Sequence, residues 1–566
     1  MADDPKKQLL PLLALTVLIG LAYAGLKLFG EPAPEAGTDT TTLTTEDGTG
    51  STASSPAPSA EARATRAARA QTAQIETEHF IATFTNLNTA VTSLRVKGDR
   101  FRRADGELHE MVTTDQEQYL PLRLGLGDAV DGGGVSGGIR IPEDAVWTMT
   151  QPGPNQVRFE LEADGFTITR QWEAGGAPYQ LWSTVRIQNG SRGTRPVRVS
   201  VRSAHYVSRE AEGSTFLGRP SDVASFGQCY FGDEDHERFD RKELDDDNPS
   251  HFGAGFAPNA GWAAITNQYF ATLIAAEDDA AERCQIWMDN RGRPQAVGTL
   301  FEVALRYPRV ELAPGADHVT RTAVYMGPKD LDAMHAFGHK ATAAVDLGWF
   351  TFIAEGLVWL LRSIFNLVGN WGLAIVLLTF LVKLVLYPLT AASFKNMAKM
   401  SELKPHLDAI NAKYGDDREA KGQATMALYR EHKVNPFAGC LPMLLQMPIW
   451  FALYQSLSTN LELYHSPFAL FWTDLSARDP YFVLPLLLGV LMFVQQKLTP
   501  TASMDPQQAK VMLYMMPIMI TGFMLFLPAG LCLYMVTNSV LSISQQHYIR
   551  VTHAAAVANK TPAGPA

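Results

Sequence analysis

Residues 371–390, WGLAIVLLTFLVKLVLYPLT, form an apolar run that carries a single charge, Lys383. About 20 such residues cross a bilayer core of about 30 Å as a helix. In lipid, only helices and closed barrels satisfy their own backbone. A lysine at the helix centre costs roughly 2.5–3.5 kcal/mol on insertion scales. It can snorkel to the nearer interface, join an ion pair, or face a wet cavity. The other apolar runs hold no carboxylate near mid-membrane, so a cavity open to water is the leading reading. Thr379 lies one turn away on the same face. Gln446, Tyr534, Thr537 and Asn538 are further polar groups at membrane depth. Such groups often bond only to neighbouring helices, but with Lys383 they can line a hydrophilic groove.

The charge is divided along the chain. It has 48 Lys+Arg against 58 Asp+Glu, a net −10, and from residue 336 onward the count is 16 against 12. The first 335 residues therefore hold 32 against 46, a net −14. This pattern excludes a single globular domain, a fibrous protein and a wholly disordered chain. It also argues against direct nucleic-acid readout.

Residues 9–26 are almost wholly apolar and follow Lys6 and Lys7. That pattern predicts an uncleaved anchor within 1–30, its N-terminus cytoplasmic. The rival is a signal peptide cut after Ala22-Tyr23-Ala24. Residues 31–75 are rich in Thr, Ser, Ala, Glu, Gly and Pro and read as a disordered tether. Residues 76–335 alternate apolar and polar positions, as in VRFELEADGFTITRQWEA at 157–174. Period two broken by Gly, Asn and Asp predicts antiparallel strands in a large exported β-sandwich. The acidic run 233–248 lacks EF-hand spacing and reads as a solvated loop. No GxSxG, HExxH or phosphate loop occurs in this part, so nothing points to an enzyme. Cys229 and Cys284 are two free thiols on the plain reading; export allows a disulfide. Cys440 and Cys532 read as small buried hydrophobes.

Residues 336–368 read as an interfacial amphipathic region, with Glu355 and Arg362 on one face and Trp349 and Trp359 as anchors. Spans follow at 371–390, about 437–458, 481–498, 511–527 and 529–548, six with the anchor. Eight basic residues place 395–436 inside, whereas 459–480, with Arg478 alone against Glu462, Asp474 and Asp479, belongs outside. Both termini are then cytoplasmic and 31–347 periplasmic. Apolar steps from Met397 to Ile410 and a second helix ending near Asn435-Pro436 predict an antiparallel hairpin over 395–436, the first helix bent at Pro405.

Four segments carry a resemblance: NWGLAIVLLTFLVKLVLYPLT (370–390), KVNPFAGCLPMLLQMPIWFALY (433–454), SPFALFWTDLSARDPYFVLPLLLGV (466–490) and LPAGLCLYMVTNSVLSISQQHYI (527–549). They closely resemble the YidC-type membrane protein insertases of the Oxa family, over about 348–550. The layout matches the Gram-negative type. The fold class is then a six-span α-helical membrane protein with a periplasmic all-β supersandwich and a cytoplasmic hairpin. The resemblance implies an insertase and chaperone for inner-membrane proteins, not an enzyme, working alone or with the Sec translocon. It implies a five-span insertase core (369–550) with a groove open to cytoplasm and lipid, and no nucleotide, metal or other cofactor. Nascent membrane proteins, the Sec translocon, the ribosome and the lipid bilayer are the implied partners, and a monomer suffices. The groove residues expected are Lys383, Thr379, Gln446, Met443, Tyr534, Thr537 and Asn538. The family's cation is usually arginine in T-F-hydrophobic-hydrophobic-R; here Thr379-Phe380-Leu381-Val382 precedes Lys383. The tail 551–566 holds one lysine, Lys560, where some members carry a longer basic ribosome-binding tail. The alternative is a solute transporter or channel with a periplasmic sensor domain.

Overall fold

A computed structural model describes residues 68–558 apart from 104–105, 115, 128–137, 143–144, 209–225, 232–235, 240–243, 245–259, 278–280, 289–297, 346–350, 416, 436–440, 460 and 499–505. The expected anchor, the Ala22-Tyr23-Ala24 site, the tether as far as 67, most of the acidic run and the tail from 559 on lie outside the described residues.

Alternation builds the first unit. In the strand Gln156–Ala163, Val157 and Phe159 are buried while Arg158 and Glu160 point out. Asp164 and Gly165 both take positive φ, 52° and 78°, and turn the chain into the strand Phe166–Ala174. Two successive positive-φ residues give a hairpin turn whose twist matches its strands. The hairpin belongs to a nine-stranded antiparallel sheet. Its spatial order is His236–Phe239, Phe226–Phe231, Ala260–Thr266, Phe270–Ala276, Asp317–Pro328, Gln180–Asn189, Phe166–Ala174, Gln156–Ala163, Thr148–Gly153. A four-stranded sheet (Arg283–Met288, Gly298–Arg306, Ser200–Ser208, Arg123–Gly125) packs against it through Cys284, Ile286, Val303, Leu305 and Val201. Two sheets joined face to face are a β-sandwich.

Two expectations are corrected here. Cys229 on the large sheet and Cys284 on the smaller are not free thiols but a disulfide, with Cα atoms 5.9 Å apart. The facing strands bring together two residues that lie 55 apart in sequence, a distance no local pattern reports. The tether ends earlier than 75. Thr72–Glu76 is a strand paired with Phe80–Thr85, and Ala73 and Ile75 are buried. Two apolar residues at period two suffice to dock an edge strand.

Helices follow the sheets. Leu331–Phe337 (α1) starts on Asp330, whose carboxylate accepts from the Asp332 and Ala333 amides, an N-cap. Phe337, Ala341 and Ala344 still belong to the sandwich core. Then come Thr351–Val368 (α2), Trp371–Glu402 (α3), Lys404–Tyr414 (α4), Arg418–Glu431 (α5), Leu441–Thr459 (α6), Val483–Leu498 (α7), Pro506–Met524 (α8) and Ala529–Ala558 (α9). Among the described residues, α3 is long and apolar enough to cross a membrane; Val483–Leu498 and Lys510–Met524 are shorter apolar helices. The helices turn large apolar side chains outward, including Leu384, Val385, Leu486, Val490, Ile518 and Met519. So much exposed apolar surface requires an apolar solvent or partner.

Pro405 does not bend a continuous helix. The chain breaks at Leu403, and α4 restarts with Pro405 in its first turn, where a missing N–H costs nothing. Helices α4 and α5 pack through Leu403, Leu407, Leu428 and Tyr429.

The helical part is tied to the sandwich. Arg362 on α2 meets Asp332 at 3.3 Å and Glu462 at 2.5 Å. Burial raises the Glu462 carboxyl above its ordinary range, although Arg362 opposes the shift. After α6, Leu461 and Tyr464 enter the sandwich core. The Tyr464 ring lies 4.7 Å from Tyr269 and 6.1 Å from Phe270.

Candidate functional site: a polar ladder between two helices

Helices α3 and α9 lie side by side. At their starts, Gly530 comes close to Ile375 and to the Leu475 carbonyl, which accepts from its amide at 2.9 Å. The absent side chain of Gly530 permits that approach. Asn370 caps α3 by accepting from the Leu373 amide and donates to the Phe468 carbonyl at 2.9 Å.

Polar side chains recur along α9 and meet α6, α3 and α7 in turn. Tyr534 is buried, and its hydroxyl accepts from the Gln446 amide of α6 at 2.7 Å. Two turns on, about 12 Å along the axis at 1.5 Å per residue, Lys383 Nζ donates to Ser542 Oγ at 2.8 Å. Ser542 is itself buried and donates its hydroxyl proton to the Asn538 carbonyl at 2.7 Å. Gln545 then donates to Thr390 Oγ1 at 2.6 Å. Gln546 donates to the Leu498 carbonyl at 3.1 Å, and Arg550 donates to the same oxygen. Pro388 lies inside α3 and lacks the N–H that would bond one turn back.

The ammonium of Lys383 forms no ion pair among the described residues. One of its three N–H donors is committed to Ser542. The Asn538 Oδ1 atom, one turn before Ser542, is buried without a hydrogen-bond partner. A cation with spare donors and a buried amide oxygen without a partner are each costly in an apolar surround. The cation can bind a polar or anionic group that enters from the side.

The seven residues marked by the sequence divide. Lys383, Gln446, Tyr534 and Asn538 fall on the ladder or next to it. Thr379 is buried and returns its hydroxyl to the Ile375 carbonyl at 2.7 Å. Thr537 does the same toward Leu533 at 2.8 Å; both satisfy themselves within their own helix. Met443 lies on α6. Ser542, Gln545 and Thr390 were not singled out. Their signal was the repeat of polar residues at 534, 538, 542 and 545 on one helical face.

The comparisons with known proteins are specific. Residues 72–360 match the model for the YidC periplasmic domain, and 363–556 match the 60Kd inner membrane protein family. A membrane protein insertase YidC of Anaeromyxobacter dehalogenans is 38% identical over 490 residues, 85% of each chain. The chain belongs to the YidC family of membrane protein insertases. Another YidC, from a Geobacter species (strain M21), is 38% identical over 69% of each chain. A crystal structure of an active YidC insertase with its first transmembrane domain resolved is similar at 19% identity, over 84% of this chain and 92% of its own, with a TM-score of 0.35. The matched YidC models make this an inner-membrane protein, with the sandwich as its periplasmic domain.

Proposed function

We propose that the chain inserts and folds inner-membrane proteins through a hydrophilic groove along the α3–α9 ladder, open to cytoplasm and lipid. The observation that carries this reading is Lys383, a cation on an apolar helix whose one hydrogen-bond partner among the described residues is a neutral hydroxyl. Lys383, Gln446, Met443, Tyr534 and Asn538 line or flank the groove, and Thr379 and Thr537 support its wall. A polar segment of a nascent membrane protein enters from the cytoplasm. It exchanges water for Lys383 and the ladder hydroxyls, and so meets a lower barrier than bare hydrocarbon presents.

The architecture that goes with this has six spans, both termini inside, residues 31–347 periplasmic and the α4–α5 hairpin cytoplasmic. Two observations support it. Leu461 and Tyr464 pack into the sandwich, which argues that the segment after α6 shares the sandwich's side. The basic residues of 395–436 argue for the opposite side. The division is an anchor (1–30), a linker (31–71), a periplasmic domain (72–335) that starts with the strand Thr72–Glu76, an interfacial region (336–368), an insertase core (369–550) and a tail (551–566). The Sec translocon and the ribosome are the partners this layout serves, the ribosome through the hairpin.

The test is photocrosslinking. Probes at Gln446, Asn538 and Thr537, in liposomes fed a single-span nascent chain, should capture that chain. A probe at the outward-facing Ile518 should capture lipid instead. Equal capture at all four would remove the groove.

A further inference from the structure

We propose that Ser542 is a positioning residue that holds the Lys383 ammonium inside the groove; the inference rests on the insertase reading above. The geometry fixes what each group can do. Ser542 Oγ spends its one proton on the Asn538 carbonyl at 2.7 Å, so toward Lys383 it can only accept. Lys383 Nζ sits 2.8 Å from that oxygen, and Ser542 is the single side chain bonded to it among the described residues.

Lysine needs such a partner more than arginine does. Its ammonium rides on four rotatable carbons and slides readily toward water. α3 continues for 19 residues beyond Lys383, through Lys395 and Lys399, so a wetter end lies along the same helix. A guanidinium is planar, carries five donors and loses less entropy per bond formed. Ser542 Oγ, the acceptor of the ammonium, is itself bonded to the Asn538 carbonyl within α9. The tether is therefore fixed by α9 and does not depend on a mobile group. Holding one N–H leaves two for an incoming polar segment.

Threonine can keep the same back-bond to the residue one turn before it; alanine and valine cannot. Two readouts follow, both on the full chain in liposomes. The first is the rate at which a water-soluble amine reagent modifies Lys383, read by peptide mass spectrometry with Lys497 and Lys510 as internal references. Ser542→Ala and Ser542→Val should raise that rate about tenfold, the lower worth of a hydrogen bond to a charged group, and leave the references unchanged. Ser542→Thr should match wild type. The second is a double-mutant cycle on insertion. Ser542→Ala should lower insertion severalfold with lysine at 383 and have little effect in the Lys383→Arg background.

An unchanged Lys383 labelling rate in Ser542→Ala would overturn the proposal. So would an equal insertion loss in both backgrounds, which is what a purely structural role for Ser542 produces. A rise at all three lysines would mark general loosening and also count against it. If Lys383→Ala inserts as well as wild type, the groove reading fails, whereas the labelling rates still decide the tether by themselves.

Discussion

Arg170 and Lys383 are both drawn away from water, and they are held differently. Arg170, in the sandwich, is fully buried. Its Nε donates to Ser183 Oγ at 3.0 Å, and Nη1 donates to the Thr89 hydroxyl and carbonyl at 2.9 and 3.3 Å. The guanidinium lies 4.3 Å from the centre of the Trp172 ring, and Trp172 Nε1 donates to the same Thr89 carbonyl at 3.0 Å. Thr89 has a φ of 59°, a conformation costly for a β-branched residue. The arginine and tryptophan therefore pin a strained turn to the sheet. Lys383 is only half-buried, and among the described residues its ammonium bonds to one neutral hydroxyl. Arg170 Nη2 is buried without a hydrogen-bond partner among the described residues, so spare donors alone do not separate the two. A cation enclosed on all sides carries stability, whereas a half-buried one on a helix flank is available for work.

The difference can be broken from the structural side first. Arg170→Ala should destabilise the sandwich by about 3 kcal/mol or more, since it removes a buried network and leaves a cavity. Thermal unfolding of the whole chain should show this as a large fall in the sandwich transition, while the helical transition stays in place. A fall below about 1 kcal/mol would mean that the Thr89 turn holds itself.

The junction between the two regions is next in size. Tyr464→Ala empties a buried site between Tyr269 and Phe270. An aromatic truncation in a core costs about 3–5 kcal/mol; at a docking contact between units roughly half of that is expected to reach the sandwich. Proteolysis should show faster cutting between 336 and 350, with insertion largely retained. Unchanged proteolysis would separate Tyr464 from the junction.

The smallest effect is a pH dependence. His109 stacks on Phe270 at 3.9 Å. Burial lowers its pKa from 6.5 to about 4, with Arg103 and His465 adding repulsion. Burial, with His109 adding, lowers His205 to about 4 as well. A lowered folded value means that the neutral ring is the folded form. Its stabilisation is complete above about 6.5 and is lost as pH falls toward 4. Unfolding midpoints across that window should fall with acid, and His109→Gln should remove part of the slope. An unaltered slope would assign it to other groups.

Much of this molecule was legible in the sequence because its two solvents impose two periods. Alternation at 157–174 told of a sheet with one wet face, and apolar runs such as 371–390 told of helices with no wet face. Lys383 stood out because one charge in such a run has few explanations. What stayed hidden was long-range. Ser542 is ordinary in a helix until α3 brings Lys383 beside it. Arg362 read as part of a helix face, yet it pairs with Asp332 and Glu462 from two distant segments. Cys229 and Cys284 met only once two sheets had packed. Pro405 was read as a kink because local steps run on through Leu407, whereas the chain uses it to start a new helix.

Wild type, Lys383→Ala and Lys383→Arg should be reconstituted in liposomes and given a short-tailed membrane protein, with thermal unfolding of each variant measured alongside. Lys383→Ala should lose at least about tenfold in insertion, what a charged hydrogen bond of about 1.5 kcal/mol supplies, while its unfolding midpoint stays near wild type. Lys383→Arg should keep most activity. Full insertion by Lys383→Ala, or loss of insertion only in step with loss of the fold, would contradict the claim that this cation is held for function and not for stability.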